Sequence, residues 1–281
     1  MDTITREKII EALEAKGYVA RATDKVNNSI IQHGIAISSQ RICPVIYIDR
    51  FLNMDISKLD DITEEIINIY CANYSCDINV DLFTDKEFIL SHLYIALQNK
   101  EEIEDQLVKR DCELSGIEEY LYIRGESTVN GNWSVKLTSE LMSTANLSPS
   151  ECWDTAAQNT FNSEETTIRS MSDVLFDMTG CEDFSDFEIG LYVISNKSNT
   201  KGSVSILNKK AIKEWASTLP VVPKKLICIC SSVHEALLII PSDNEPIDLS
   251  FYSQMKQEVD LNEVAPEERL GGNNVYILDI E

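Results

Sequence analysis

The chain has 281 residues, of which 43% are hydrophobic, and 47 acidic against 24 basic side chains give it a formal net charge of −23. The length suits one large core or two ordinary domains, and the apolar share is that of a folded globular protein. Nucleic acids are polyanions bound through Lys and Arg, so this charge argues against a direct nucleic-acid ligand and against an anionic membrane surface.

The N-terminal part of the chain begins with a helical pattern over Thr5–Lys16 that Gly17 ends. Alternating apolar residues then predict strands at Tyr18–Thr23, Ile30–Ile37 and Cys43–Ile48. Ser57 begins a second helix that runs to about Tyr74. This order predicts strands that pair antiparallel, with helices covering one face of the sheet.

Residues 84–116 are less regular. Thr84–Glu87 is a capping box, and the run Phe88–Gln98 fits either one helix or a helix followed by a strand. Glu101–Leu107 is predicted as a short acidic helix, and the polar stretch Lys109–Gly116 breaks the pattern. We therefore expect an N-terminal lobe of residues 1–115 and a C-terminal lobe of residues 116–281.

The C-terminal lobe begins with a strongly patterned stretch. Ile117–Ile123 and Trp133–Leu137 read as strands, and Asn130-Gly131 lies between them. Asn-Gly between two alternating segments is a strong hairpin signal, because both central residues of a type I′ turn need positive φ. Thr138 or Ser139 then opens a short helix.

The same strand–turn–strand–helix order recurs along the chain. Leu191–Val193 and Ser203–Leu207 would form a second hairpin that turns near Lys201-Gly202, and Leu226–Cys230 with Ala236–Ile240 a third. Hairpins followed by helices are common, so duplication and coincidence both remain open. The predicted fold class is α+β, a mainly antiparallel sheet built from repeated strand–turn–strand–helix units with helices packed on it.

The other helices of this lobe have clear start and stop signals. The predicted elements are a helix from Ser148-Pro149 to about Asn159, helices over Ser170–Thr179, Asn208–Thr218 and Asp248 to about Asp260, and a last strand over Val275–Ile280.

Cysteine usage and targeting signals predict a cytoplasmic protein. The eight cysteines lack the spacing of a disulfide framework, which favours free, mostly buried thiols in a reducing compartment. The sequence shows neither a signal-peptide pattern nor an apolar run of membrane-spanning length.

The excess acidity is concentrated in residues 117–188, which carry 14 acidic and three basic side chains. A solvated surface is the ordinary explanation. The sharper hypothesis is a negative face that binds a basic protein partner, with the contributing residues Glu118, Glu126, Glu164, Glu165, Glu182, Asp183 and Asp186.

Several short segments spread along nearly the whole chain are distinctive. The clearest is Ser231-Ser232-Val233-His234-Glu235; others are His33-Gly34-Ile35, Ala156–Thr160, Tyr192–Asn196 and Val264–Glu268. These segments resemble a bacterial family of unknown function from anaerobic gut bacteria. Where that family usually has Pro ahead of the two serines, this chain has Cys230. The resemblance implies a shared α+β fold and no established activity. Copies of that family are often linked with mobile elements, and this favours an anti-defence role.

The candidate catalytic residues of a small hydrolase are Ser232, His234 and Glu235, next to Ser231. A serine nucleophile needs an imidazole base and a carboxylate that orients the imidazole. The alternative is that they cap backbone groups where the third hairpin turns. The sequence has no Gly-x-Ser-x-Gly elbow, which favours the structural role.

No metal or cofactor is expected. His33, His92 and His234 are isolated in sequence, Cys71 and Cys76 lack a second pair, and no phosphate-binding glycine loop occurs. The leading functional hypothesis is a non-enzymatic acidic interaction module, in its narrower form an anti-defence inhibitor that mimics nucleic acid. The hydrolase is the alternative, and the oligomeric state is left open.

Overall fold

The computed structural model describes residues 2–27, 30–37, 45–73, 80–100, 106–127, 131–162, 165–180, 190–242 and 246–280. Its contacts group into two compact units, Met1–Phe83 with Gly125–Ser134 and Thr84–Arg124 with Val135–Glu281. The lobes predicted as residues 1–115 and 116–281 are not tested by this grouping and stay a prediction.

The described strands form three sheets, and each pair whose register is described is antiparallel. In chain order the strands are β1 (Ala20–Asn27), β2 (Ile30–Ile37), β3 (Val45–Tyr47), β4 (Leu93–Asn99), β5 (Lys109–Asp111), β6 (Ile117–Ser127), β7 (Gly131–Lys136), β8 (Thr166–Ser170), β9 (Leu191–Asn196), β10 (Lys225–Ile229), β11 (Ala236–Ile239) and β12 (Tyr276–Asp279). The sheet orders are β1-β2-β3, β4-β6-β5 with β7 also on β6, and β12-β10-β11-β9-β8.

Most helices begin at the caps that the sequence predicts. The α-helices are α1 (Arg6–Ala15), α2 (Leu59–Asn73), α3 (Lys86–Ser91), α4 (Ser139–Thr144), α5 (Pro149–Thr160), α6 (Met171–Thr179), α7 (Lys209–Ala216) and α8 (Leu249–Asn262). Ser148, for example, accepts a hydrogen bond from the Glu151 N–H, and Gly180 ends α6 in the left-handed conformation. Together with the antiparallel sheets, these helices confirm the predicted α+β class.

In the first unit, α1 and α2 pack beside each other on the three-stranded sheet. Ile9, Leu13 and Ile66 are fully buried from the helix side, and Ile35 is fully buried from β2. Gly34 is required where β2 meets β3, because a Cβ there would lie 2.5 Å from Val45 Cγ1. The three N-terminal strands and two helices predicted from the sequence are confirmed.

In the second unit, polar side chains of α5 hold the junction between α3 and β4. The Asn159 amide donates to the carbonyls of Leu90 and Leu93, each at 2.9 Å. The buried Thr160 hydroxyl accepts from the Ile95 N–H at 2.9 Å. The run Phe88–Gln98, for which the sequence left two alternatives, is therefore a helix followed by a strand. The contacts with α5 fix the position at which the helix ends and the strand begins.

The second predicted hairpin is wrong. Gly202–Leu207 forms a 3-10 turn, and β9 pairs with β8 and β11 instead. Asn199 and Lys201 adopt positive φ and turn the chain over the β10–β11 connection, where Ser203 binds the Val233 carbonyl. The hairpin of β10 and β11 is confirmed. Strands flank the predicted Asn130-Gly131 turn, which lies largely outside the described residues.

Two short strands were missed. β5 falls in the stretch predicted to break the pattern, and β8 precedes α6 where no strand was expected. Both depend on partners that are distant in sequence, β6 and β9. The predicted acidic helix 101–107 lies mostly outside the described residues.

Replacing Thr160 by Val preserves size and β-branching but removes the acceptor of the Ile95 N–H. A buried donor without a partner costs about 1–3 kcal/mol. We expect T160V to lower the free energy of unfolding by that amount in urea denaturation. The matched control is Thr144→Val, because the Thr144 hydroxyl donates to Glu140 O on the exposed side of α4. The control should change the free energy of unfolding by less than about 0.5 kcal/mol. An equal loss of stability in both variants would contradict the role of the Thr160 hydroxyl as the partner of the Ile95 N–H.

The described cysteines are free, and burial raises the pKa of the Cys152 thiol from 9.0 to about 11. The unfolded thiol therefore ionises first as the pH rises, which favours the unfolded state. We expect the free energy of unfolding to fall between about pH 9 and pH 11, and to fall less steeply in Cys152→Ala. Denaturation curves at pH 7, 9 and 10.5 measure this, and identical slopes for the two proteins would refute it.

Candidate functional site

Ser231–Glu235 connects β10 to β11 at the turn of the confirmed hairpin. The Ser231 hydroxyl donates to the Glu235 carbonyl at 3.0 Å, and the Ser232 hydroxyl accepts from the His234 N–H at 3.0 Å. Ser232 N also donates to Glu235 O at 3.2 Å. The two serines thus bind main-chain groups of the turn, as the structural alternative predicts.

Each nitrogen of the His234 imidazole has a polar neighbour. The Lys201 main-chain N–H, which can only donate, lies 3.2 Å from Nδ1, so Nδ1 accepts and the ring proton belongs on Nε2. Nε2 lies 3.5 Å from a carboxylate oxygen of Glu268 rather than of Glu235. A general base needs a ring nitrogen free to take the serine proton. The described contacts therefore contain no Ser232–His234 relay.

This turn also contacts three other segments of the second unit. The Val233 carbonyl accepts from the Ser203 hydroxyl at 2.9 Å, and its N–H donates to Glu268 O at 2.8 Å. The Ser195 hydroxyl donates to the His234 carbonyl at 2.8 Å. A Cβ at Gly202 would lie 2.2 Å from Ser195 Oγ, so only glycine fits there. The arrangement positions main-chain groups of the turn.

Glu118 is buried rather than displayed to solvent. Only 5% of the residue is exposed, and its carboxylate accepts from Gln98 Nε2 at 2.7 Å and from Lys109 Nζ at 3.0 Å. Its neighbour Glu119 is 7% exposed and accepts two bonds from Arg110. These carboxylates join β5 to β6, so Glu118 does not contribute to an exposed negative surface.

Glu165 is half-buried and ion-paired with Arg124 at 2.8 Å. The Arg124 guanidinium also lies 3.7 Å from the ring centroid of Tyr94. The other acids predicted to bind a partner lie outside the described residues or, for Glu126, have no described side chain; they are Glu126, Glu164, Glu182, Asp183 and Asp186. Their role stays a prediction.

An acidic surface that the sequence analysis missed lies on α1 and α2. We call it the helical acidic face, and its exposed members are Glu7, Glu11, Glu14, Asp60, Asp61, Glu64 and Glu65. The spacing 7, 11, 14 places three carboxylates on one side of α1, opposite Ile9 and Leu13, and this signal could have been read from the sequence.

The two parts of this face adjoin. Lys16 Nζ at the end of α1 lies 3.3 Å from Glu64 Oε1 on α2, and Arg50 pairs with Glu65 at 2.6 Å. Hydrogen bonds from its own backbone N–H and from Thr5 hold the pKa of the Glu7 carboxyl below its ordinary value. These ion pairs engage two of the seven carboxylates, so the face keeps an excess of negative charge.

The described part of the chain offers no group of three or more His, Cys, Asp or Glu placed to hold a metal ion. His33 binds Asp49 through Nδ1 at 2.7 Å, and the same carboxylate accepts from the His33 N–H at 2.9 Å. This contact fixes the end of β3 against β2. None of the helices in the described ranges combines the length and apolarity needed to cross a bilayer.

A fluorophosphonate probe should leave Ser232 unlabelled, because the nitrogen that would activate its hydroxyl is bound by Lys201 N–H. Intact-protein mass spectrometry after incubation measures this, with an active serine hydrolase in the same tube as positive control. Labelling that maps to Ser232 and disappears in His234→Gln would restore the hydrolase hypothesis.

Comparison with known proteins supports one assignment. A family model described as a family of unknown function, DUF5688, matches residues 3–279. No match was found among the curated proteins or among the solved structures. Because the family model covers nearly the whole chain, the chain belongs to the family of unknown function DUF5688.

Proposed function

We propose that this protein is a non-enzymatic interaction module that binds a basic surface of a protein partner through the helical acidic face. The observation that carries the proposal is the set of seven exposed carboxylates on two adjoining helices of the first unit. The net charge of −23 also favours a partner with a positively charged surface. Nucleic acid and anionic membranes remain disfavoured as direct ligands.

The rigid arrangement of the carboxylates on α1 favours such a role. Residues three and four apart on a helix lie about 5–6 Å apart, so Glu7, Glu11 and Glu14 form a row of fixed charges. The apolar side of α1 is buried in the core, which holds this row in place without contributions from flexible loops. Complementary charge chiefly raises the association rate and suppresses wrong partners.

The narrower form of the proposal is a bacterial, cytoplasmic inhibitor carried by mobile elements that blocks a defence protein. Its carboxylates would occupy the partner's nucleic-acid channel in place of phosphates. The resemblance to gut-bacterial copies linked with mobile elements supports this form. It implies that duplex DNA competes with the protein for the partner. The contacts of the described residues give no support to the hydrolase alternative, which is not proposed.

The test begins with a pulldown from the native host, read by mass spectrometry, and continues with association rates for the purified partner. Reversing Glu7, Glu11 and Glu14 to Lys should slow association at least tenfold at 50 mM salt and flatten its salt dependence. The Debye length shrinks from about 30 Å at 0.01 M to about 10 Å at 0.1 M salt, so the wild-type rate should fall as salt rises.

Two further variants distinguish local docking from bulk charge. The matched control reverses three exposed acids elsewhere, Glu140, Glu258 and Glu263, and should change the rate less than threefold. A second arm reverses Glu164, Glu165, Glu182 and Asp183, the set predicted from the sequence. Equal slowing in the α1 variant and the control would assign the acidity to solubility. Loss of binding in the second arm alone would move the docking site to residues 117–188.

A further inference from the structure

The connection between α7 and β10 contains two prolines separated by two valines. Its sequence from residue 219 is Leu-Pro-Val-Val-Pro-Lys, and Lys225 begins β10. Proline cannot continue a helix, so one proline after α7 is ordinary. The second proline, the two valines and the pair of lysines that follows are not needed to end the helix.

The middle of this connection is exposed to solvent. Val221 is 73% exposed and Val222 is 54% exposed. Pro220 is exposed as well, and Pro223 is half-buried. Turns and connections are usually built from Gly, Asn, Asp, Ser and single prolines. Loops that a rigid scaffold positions often carry the residues that bind a partner.

The connection is held at both ends by buried elements. Ala216, the last residue of α7, and Leu226 of β10 are fully buried. The Leu219 N–H donates to the Ala216 carbonyl at 3.2 Å, and the Lys224 carbonyl accepts from the Ile280 N–H at 3.0 Å. A partner that binds here therefore has few residues to order, which lowers the entropic cost of association.

The main chain between these anchors is biased toward the polyproline II conformation. The ring fixes φ of Pro220 and Pro223 at about −65°, and a residue that precedes proline is restricted to extended conformations. Among the described residues, the N–H groups of Val221 and Val222 have no hydrogen-bond partner. A polyproline II helix likewise has no internal hydrogen bonds. The chain bends at residues 219–221, where it leaves α7, so a partner would have to straighten only this bend.

The same prolines disfavour pairing as a β-strand. Pro220 and Pro223 would lie on opposite edges of an extended strand, so each edge would lack one N–H donor. A polyproline II helix completes a turn in three residues instead. The two prolines then share one edge of the helix. Val222 lies on the second edge, and Val221 and Lys224 lie on the third.

Two accessible lysines follow the second proline. The Lys224 side chain is exposed and forms no ion pair with another described residue. The Lys225 amine lies 3.9 Å from a carboxylate oxygen of Asp279, and 54% of the Lys225 side chain is exposed. An exposed pair contributes little, so Lys225 can exchange Asp279 for a carboxylate of a partner. Positive charge at one end only gives the segment a direction.

We propose that residues 220–225 bind a protein partner as a polyproline II ligand. The partner has a groove lined by aromatic side chains, with a carboxylate at one end. The aromatic rings pack against Pro220, Val222 and Pro223, and the carboxylate binds the lysine pair. Grooves of this kind recognise segments with two prolines at this spacing, because the preformed helix loses little entropy on binding.

A second copy of the chain is disfavoured as this partner. Within the described residues a groove of about 440 Å³ runs along β12, but its lining is aliphatic and charged and includes no aromatic ring. The segment is also distinct from the helical acidic face. It lies in the second unit and requires an acidic group on its partner, whereas the helical acidic face is proposed to bind a basic surface.

The probe for the test is an isolated SH3 domain that selects Pro-x-x-Pro-x-Lys ligands. The domain is labelled with fluorescein and titrated with the full chain, and fluorescence anisotropy measures the binding. We expect saturable one-to-one binding to the wild type and at least tenfold weaker binding to P220A/P223A. Heteronuclear NMR of the isotopically labelled domain should place the contact in its aromatic groove.

A matched pair of variants separates the contact from any effect on folding. V221S and V222S make the same change on adjacent exposed residues of one loop. Val222 faces the groove and Val221 faces solvent in the complex, so V222S should bind at least fivefold more weakly and V221S within twofold of the wild type.

The charge contribution is tested with K224E/K225E, which should bind the SH3 domain at least tenfold more weakly and lose most of the salt dependence. The matched control, K16E/K25E, makes the same change of charge in the first unit and should bind as the wild type does.

Three results would overturn the proposal. The first is absence of saturable binding of the SH3 domain to the wild type. The second is equal weakening of binding in V221S and V222S. The third is a set of NMR shifts that lies outside the aromatic groove of the domain.

Discussion

Buried main-chain N–H and C=O groups must find partners, and in this protein side chains from distant segments supply them at the places where the chain changes direction. Asn159 and Thr160 bind the backbone where α3 ends and β4 begins. Ser195 and Ser203 bind the carbonyls of the turn between β10 and β11. These contacts involve few atoms, yet they set the positions of whole elements in the second unit.

This requirement also explains residues that look catalytic in sequence. Ser232 and His234 are close to each other, as a hydrolase would need, but each is used to bind main chain. His234 accepts from Lys201, whose positive φ and neighbouring Gly202 bring the backbone close enough. A segment rich in Ser, His and Glu can therefore serve to build a turn rather than to carry out chemistry.

Charge has three distinct uses in this chain. Some carboxylates are buried partners of lysine or arginine, as for Glu118, Glu119 and the pair formed by Asp260 with Lys256 on α8. Burying such a pair is weak evidence for stability, because desolvation opposes the attraction, but it does specify which strands and helices lie together. Other acids cover the outer sides of α1 and α2. Two of the seven lysines of residues 189–230, Lys209 and Lys213, form a third group beside β12 at the edge of the five-stranded sheet.

Hydrogen bonds between residues that are close in sequence determine much of the fold, and these can be predicted from the sequence. The caps Thr5, Ser148 and Ser170 act within three residues of themselves, and the β10–β11 hairpin joins neighbouring segments, so the sequence alone determined these elements. The charge excess and the row Glu7, Glu11, Glu14 are likewise readable from spacing. The 3-10 turn over Gly202–Leu207, the strands β5 and β8, and the burial of Glu118 were decided only by the tertiary structure. Each depends on a partner far along the chain, and no local pattern records whether a strand finds a neighbour or a carboxylate finds a cation.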